Sequence, residues 1–204
     1  AAGAIARKII THKLKNKYKI SGALIQIGSS KIDYNNWKNE NIEKNDFFCP
    51  DENIIDEWKS LIEKARKNGS SLGAIIELRC TGIPVGLGEP IYDKLDADLA
   101  KAIMSINAVK GVEIGNGFES VNESGISNVD EMRIKDGKPF FLSNNNGGIL
   151  GGISTGQELI VRFCVKPTSS ISTSKKTIDT QMREIDILTK GRHDPCVGIR
   201  AVPV

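Results

Sequence analysis

The stretch "PDENIIDEWKSLIEKARKNGSSLGAIIELRCTG", Pro50–Gly82, carries two hydrophobic patterns in succession. In its first part Ile54, Ile55, Trp58, Leu61, Ile62 and Ala65 recur at steps of three and four. Acids crowd the opening turn and Lys-Asn-Gly closes the run, which predicts an amphipathic helix over 50–69. Ser71–Gly82, apolar and β-branched and ending in glycine, predicts a strand. A helix feeding a strand is the pattern that the rest of the chain repeats.

Upstream, Ala1–Leu14 reads as a helix and Lys19–Gly28 as a strand, with a polar, Asn/Lys-rich stretch over 29–50 that holds loop and some helix. Downstream, a Gly/Pro loop leads into a predicted helix over Tyr92–Ile106, with Leu95, Leu99, Ala102, Ile103 and Ile106 on one side. "VKGVEIG" is a short strand, and "GQELIVRFCVKP", Gly156–Pro167, alternates as a strand does. Residues 119–147 form a long polar connection, and segments of that length are usually functional or mobile. Ser169–Ser174 is a polar loop, and Thr177–Arg192 is expected to contain a short helix. Helices alternating with strands indicate an α/β or α+β chain.

Composition narrows the function. The 204 residues suffice for one large domain or two small ones, with a real core. A net charge of +3 and 5% aromatic residues argue against nucleic acid, which calls for basic clusters and stacking surfaces. The four cysteines are far apart, without the paired spacing of a zinc site, and fit free thiols in a reducing cytosol. No apolar run is long enough to span a membrane and no signal peptide is visible. The chain opens "AAGAIARKII" without an N-cap and closes "RAVPV" uncapped, so both ends are expected to be cut; a natural start exposed by Met removal is the alternative.

Four motifs bear on chemistry. "GGILGGISTG", Gly147–Gly156, permits close backbone approach and exposes N–H groups, yet matches neither standard nucleotide loop; a tight turn and a ligand loop stand at even odds. "KPTSS", Lys166–Ser170, joins a cation, three hydroxyls and backbone N–H groups after a strand, which suits a phosphate; a plain polar strand exit is the bland reading. "GLGEP", Gly86–Pro90, reads as a tight turn before a helix. In "KGRHDPC", Lys190–Cys196, Arg192 can clamp an anion bidentately, and Asp194 beside it stays ionised to accept or orient a proton. A metal reading fails there for want of a partner cluster, and a salt-bridged turn is the local alternative. His12 reads as a solvated surface residue.

Together "GLGEPIYDKLDADLAKAIMSINAVKGVEIGNGF", "NNNGGILGGISTG", "KPTSSI" and "GRHDPCVGIRAVPV" occur in an order and spacing that resemble chorismate synthase. The opening "AAGAIA" resembles a helix of the same family. The resemblance implies an α+β sandwich, helices held between antiparallel sheets, assembled as a cytoplasmic homotetramer. It implies conversion of 5-enolpyruvylshikimate 3-phosphate to chorismate by trans-1,4-elimination of phosphate with reduced FMN (FMNH2). Position by position, it assigns Asn107, Ala108, Gly151, Lys166, Pro167, Thr168, Ser169, Ser170 and Arg192 to the flavin. Asp194 takes the proton-handling role at flavin N5, and His193 takes none. The 119–147 segment is expected to be a mobile loop near the flavin.

The family's two catalytic histidines, several substrate arginines and an Arg-Ser-Ser-Ala flavin segment have no match here, and neither does its C-terminal helix. The expectation is therefore a single domain over 1–204, truncated at both ends, that is poorly soluble and inactive by itself. A non-enzymatic phosphate- or nucleotide-binding module is the alternative reading.

Overall fold

The computed structural model describes residues 2–15 and 17–204. In chain order come helix α1 (Ala2–Leu14), strands β1 (Lys19–Ile27) and β2 (Ser30–Lys31), short 3-10 turns at Tyr34–Asn36, Asn39–Lys44 and Glu52–Ile54, and α2 (Ile55–Lys67). Next come β3 (Ala74–Thr81), α3 (Leu95–Met104), β4 (Val109–Ile114) and a 3-10 turn at Gly117–Asn122. Three hairpins and one long strand follow: β5 (Met132–Lys135) with β6 (Lys138–Phe141), β7 (Ile149–Leu150) with β8 (Ile153–Ser154), β9 (Leu159–Val165), and β10 (Lys175–Ile178) with β11 (Glu184–Ile187). A single helical turn, α4 (Gly198–Ala201), comes last. One sheet runs in the order β2-β1-β3-β9-β4, and the hairpins are separate antiparallel pairs. The chain is mixed α+β. It divides into two compact units, one taking in residues up to Gly22, 77–163 and Val204, the other 23–76 and 164–203.

In the second unit Trp58 is fully buried, meets Phe47 edge-on at 5.9 Å and donates its indole N–H to Ser30 Oγ at 3.0 Å. Leu24, Ile27, Ile76, Cys49 and Val165 complete that core. Deleting a buried Trp side chain costs about 3–5 kcal/mol, so this side chain anchors α2. The polar 29–50 stretch is ordered by buried Asp51, which accepts from the Asp33 N–H at 3.1 Å and the Asn53 N–H at 3.0 Å. In the first unit Ile103 of α3, Val109, Ile149, Leu159, Val161 and Phe163 are buried.

Three expectations need correction. The helix predicted over 92–106 begins at Leu95, because Glu89 and Asp93 exchange backbone hydrogen bonds of 2.8 and 3.0 Å that hold the preceding turn out of helix. The helix expected within 177–192 is instead the β10/β11 hairpin. Asp179 accepts from the Gln181 N–H at 2.8 Å and the Arg183 N–H at 3.0 Å, an aspartate-centred turn that reverses the chain. The 119–147 connection contains β5 and β6 rather than irregular chain alone. The helix predicted from Ala1 is present from Ala2, and Ala1 itself lies outside the described residues. Among the described residues no helix is long and apolar enough to cross a membrane.

Candidate functional site

In the first unit the glycine-rich motif is a two-residue hairpin. Gly151 and Gly152 form its turn, both with φ in the left-handed region (+60° and +85°), as the tightest hairpins require. A Cβ on Gly152 would sit 2.4 Å from the Lys94 side chain, whereas one on Gly151 would meet nothing within 4 Å. Packing thus demands glycine at 152, and open space lies beside 151. Ser154, 1% exposed, donates to the Pro84 carbonyl at 2.6 Å and accepts the Leu87 N–H at 2.9 Å. The Gly86 N–H binds the Ser154 carbonyl at 2.9 Å, and the Leu95 N–H binds that of Gly152 at 2.8 Å. "GLGEP" therefore lies against the glycine hairpin, a partnership that its reading as a pre-helix turn did not contain.

Asn107 and Ala108 follow α3, with Asn107 exposed. Ala108 has φ +71°, a left-handed conformation that an L-residue with a Cβ adopts at a cost of about 1–2 kcal/mol. Strain of this kind concentrates at functional positions. Asn107, Ala108 and Gly151 all belong to this unit, on two separate loops.

One organising residue of the unit escaped sequence reasoning. Asp130, 7% exposed, accepts from Ser143 Oγ and the Asn145 N–H, both at 2.7 Å, and from the Asn146 N–H and Nδ2 at 2.9 and 3.0 Å. Burial alone would raise its pKa, but the hydrogen bonds from Ser143, Asn146 and Asn145 outweigh burial and hold it below the usual carboxylate value. It ties down "NNNGG" immediately before the glycine hairpin.

In the second unit Lys166–Ser170 leaves the end of β9. Lys166, Pro167, Ser169 and Ser170 are exposed, while the Thr168 hydroxyl oxygen is buried with no hydrogen-bond partner among the described residues. A Cβ on Gly73 would lie 2.8 Å from the Val165 carbonyl and 3.2 Å from Pro167 Cδ, so glycine is needed where the connection before β3 passes this segment. Next along that connection, the Leu72 N–H binds the Pro195 carbonyl at 2.7 Å. His193 donates from Nδ1 to the Ser170 carbonyl. The structure thus brings Lys166–Ser170 together with the Arg192–Asp194 loop.

The salt-bridged turn that stands as the local alternative does not join Arg192 to Asp194. Asp194 Oδ2 pairs with Arg200 Nε of α4 at 2.8 Å, and Oδ1 accepts the Cys196 N–H at 3.3 Å. Backbone reversal after Pro195 brings Arg200 back over Asp194, and nothing in the local spacing announces it. Arg192 is exposed and makes no ion pair among the described residues. Cys196 is 1% exposed and burial pushes its thiol up, so it is a packing residue rather than a nucleophile. No cluster of three or more His, Cys, Asp or Glu able to hold a metal occurs among the described residues, and His12 is exposed on α1.

The second unit thus carries a buried hydroxyl without a partner, an exposed lysine and an exposed arginine, groups of the kinds that contact anions. The relatives narrow the class. The chorismate synthase family profile matches residues 1–204. Curated chorismate synthases from Pelagibacter ubique and Agrobacterium fabrum are 58% and 55% identical over the whole chain, which covers 57% and 55% of their own lengths. A crystal structure of chorismate synthase superposes with a TM-score of 0.74 at 32% identity, over 82% of this chain and 54% of that one. The chain belongs to the chorismate synthase family, and it spans about half the length of the curated relatives it matches.

Proposed function

We propose that this chain supplies part of the active site of a lyase that converts 5-enolpyruvylshikimate 3-phosphate to chorismate and phosphate, with reduced FMN as cofactor. The observation that carries the reading is the Lys166–Ser170 segment, where a buried hydroxyl without a partner sits beside exposed hydroxyls and a lysine. Such a cradle fits a phosphate monoester. The open space at Gly151 and the left-handed Ala108 suit close approach of a flat ring to backbone. Within each unit the residues are of the kinds a flavin uses: Asn107, Ala108 and Gly151 in the first, Lys166–Ser170 and Arg192 in the second. Reduced flavin, when bound, supplies the electron density that lets phosphate leave a poorly acidic allylic system.

The protein's own contribution is charge and proton handling. Exposed Arg192, which makes no ion pair among the described residues, offers its guanidinium to a phosphate or carboxylate. The Asp194 carboxylate has about four acceptor positions, of which Arg200 and the Cys196 N–H use two, so it can still take up a proton while Arg200 keeps it oriented. Neither His12 nor His193 matches the family's catalytic histidines. The 204 residues alone are accordingly expected neither to turn over substrate nor to hold FMN tightly. A homotetramer in the cytoplasm is the assembly that goes with this reading.

The test is Asp194→Ala in the protein at its natural full length. Turnover should fall by roughly 10²–10⁴-fold, the usual contribution of a positioned acid or base, while FMN affinity changes little. Unchanged turnover removes Asp194 from the chemistry, and FMN binding with no phosphate release from the unmutated protein points to a binding module instead.

A further inference from the structure

A strand exit such as Lys166–Ser170 shows carbonyls as readily as N–H groups, and carbonyls repel an anion. Here every carbonyl from Thr168 to Ser170 is taken by a side chain from elsewhere in the same unit. Ser71 Oγ donates to the Thr168 carbonyl at 2.7 Å, Lys175 Nζ to that of Ser169, and His193 Nδ1 to that of Ser170. The three donors come from the connection before β3, the first residue of β10 and the loop before α4. The Ser169 carbonyl also accepts the Ile171 N–H at 3.1 Å.

In a trans peptide the N–H points opposite to the C=O that precedes it. Holding the Thr168 and Ser169 carbonyls therefore aims the N–H groups of Ser169 and Ser170 the other way. Those two N–H groups donate to no described residue, and the Thr168 hydroxyl is likewise unpartnered. We propose that Ser71 and Lys175 are positioning residues that turn the Thr168 and Ser169 carbonyls away and present the Ser169 and Ser170 amides, with the Thr168 hydroxyl, to the phosphate of FMN, and that His193 keeps the Ser170 carbonyl from facing that phosphate. This rests on the assignment of Lys166–Ser170 to that phosphate. A carbonyl only accepts, so His193 carries its proton on Nδ1 and acts as a fixed donor, which gives the histidine of the charged cluster a task that needs no titration.

The test compares affinities of the full-length protein for FMN and riboflavin, which differ only in the phosphate. Their ratio isolates the phosphate contacts and cancels effects on the ring pocket. Ser71→Ala, Lys175→Met and His193→Phe each keep the local volume and remove one donor. Each is expected to reduce the preference for FMN by about five- to tenfold, the worth of one hydrogen bond. His193→Asn places an amide nitrogen where Nδ1 lies and should restore most of the preference. Thr168→Val separates the two ideas. If it lowers the preference while the three donor variants do not, the positioning role is wrong and the phosphate site stands. If Thr168→Val also leaves the preference unchanged, the phosphate assignment falls and takes the positioning role with it.

Discussion

The connection that carries β5 and β6 and the one that carries β10 and β11 each turn on a single aspartate. Both hairpins expose most of their strand residues, and in both an aspartate accepts backbone N–H groups. They differ in depth and in range. Asp130 is buried and its partners lie 13–16 residues away, so it joins distant parts of the chain. Asp179 accepts from residues two and four positions on, with Arg183 also giving a 2.7 Å ion pair, and it shapes only its own turn. Arg183 chiefly holds the Asp179 carboxyl below its usual value, and the Gln181 N–H adds to this. The same acid-to-amide chemistry is thus tertiary glue in one hairpin and local punctuation in the other.

Replacement of Asp130 by Ala strands several buried donors at once, so denaturant unfolding should show a loss of roughly 2–4 kcal/mol. A loss no greater than that of Asp179→Ala would collapse the comparison. Because the folded-state pKa of Asp130 is depressed, its contribution is fully present above the unfolded value near 4 and is lost as pH falls through the lower folded value. Asp130→Asn should therefore flatten the acid limb of the stability curve, and an unaltered acid limb would contradict that sign.

Ser154→Ala asks whether buried long-range anchors matter as a class. Its hydroxyl serves Pro84 and Leu87, both about 70 residues distant in sequence, and its removal should cost about 1–3 kcal/mol by the same measurement. Ala108→Gly relieves the left-handed strain but adds freedom to the unfolded chain, so a net gain of less than about 1 kcal/mol is expected in denaturant unfolding. The smallest effect belongs to Asp179→Ala: no measurable shift in melting, with faster amide exchange at Gln181 and Arg183 as its only trace.

The elements that were legible in the sequence are those whose side chains are sorted by burial. Trp58 and Ala65 mark the inner face of α2, and alternate residues of β9 from Leu159 to Val165 are buried, so period and environment coincide. The β10/β11 segment was misread because Ile178, Ile185 and Ile187 stay exposed and give no burial-driven alternation to follow. The motif residues were legible as family matches, but their partners were not. Asp130 sits in a polar stretch where a solvated acid is the default expectation. The acceptor of His193 is a main-chain carbonyl 23 residues upstream, and a carbonyl has no sequence signature.

By itself the sequence determined a chain of mixed α and β, the main helices and strands, and the motif segments that carry the family match, because periodicity, glycine content and residue type act over short range. Only the tertiary structure decided that Arg200 rather than Arg192 pairs with Asp194, that Asp130 and Ser154 hold the glycine hairpin's surroundings, and that three side chains consume the carbonyls of Thr168–Ser170. Those contacts join groups from six to 97 residues apart, and the physical reason is the same: a hydrogen bond depends on where two atoms meet after folding, not on how far apart they stand in sequence.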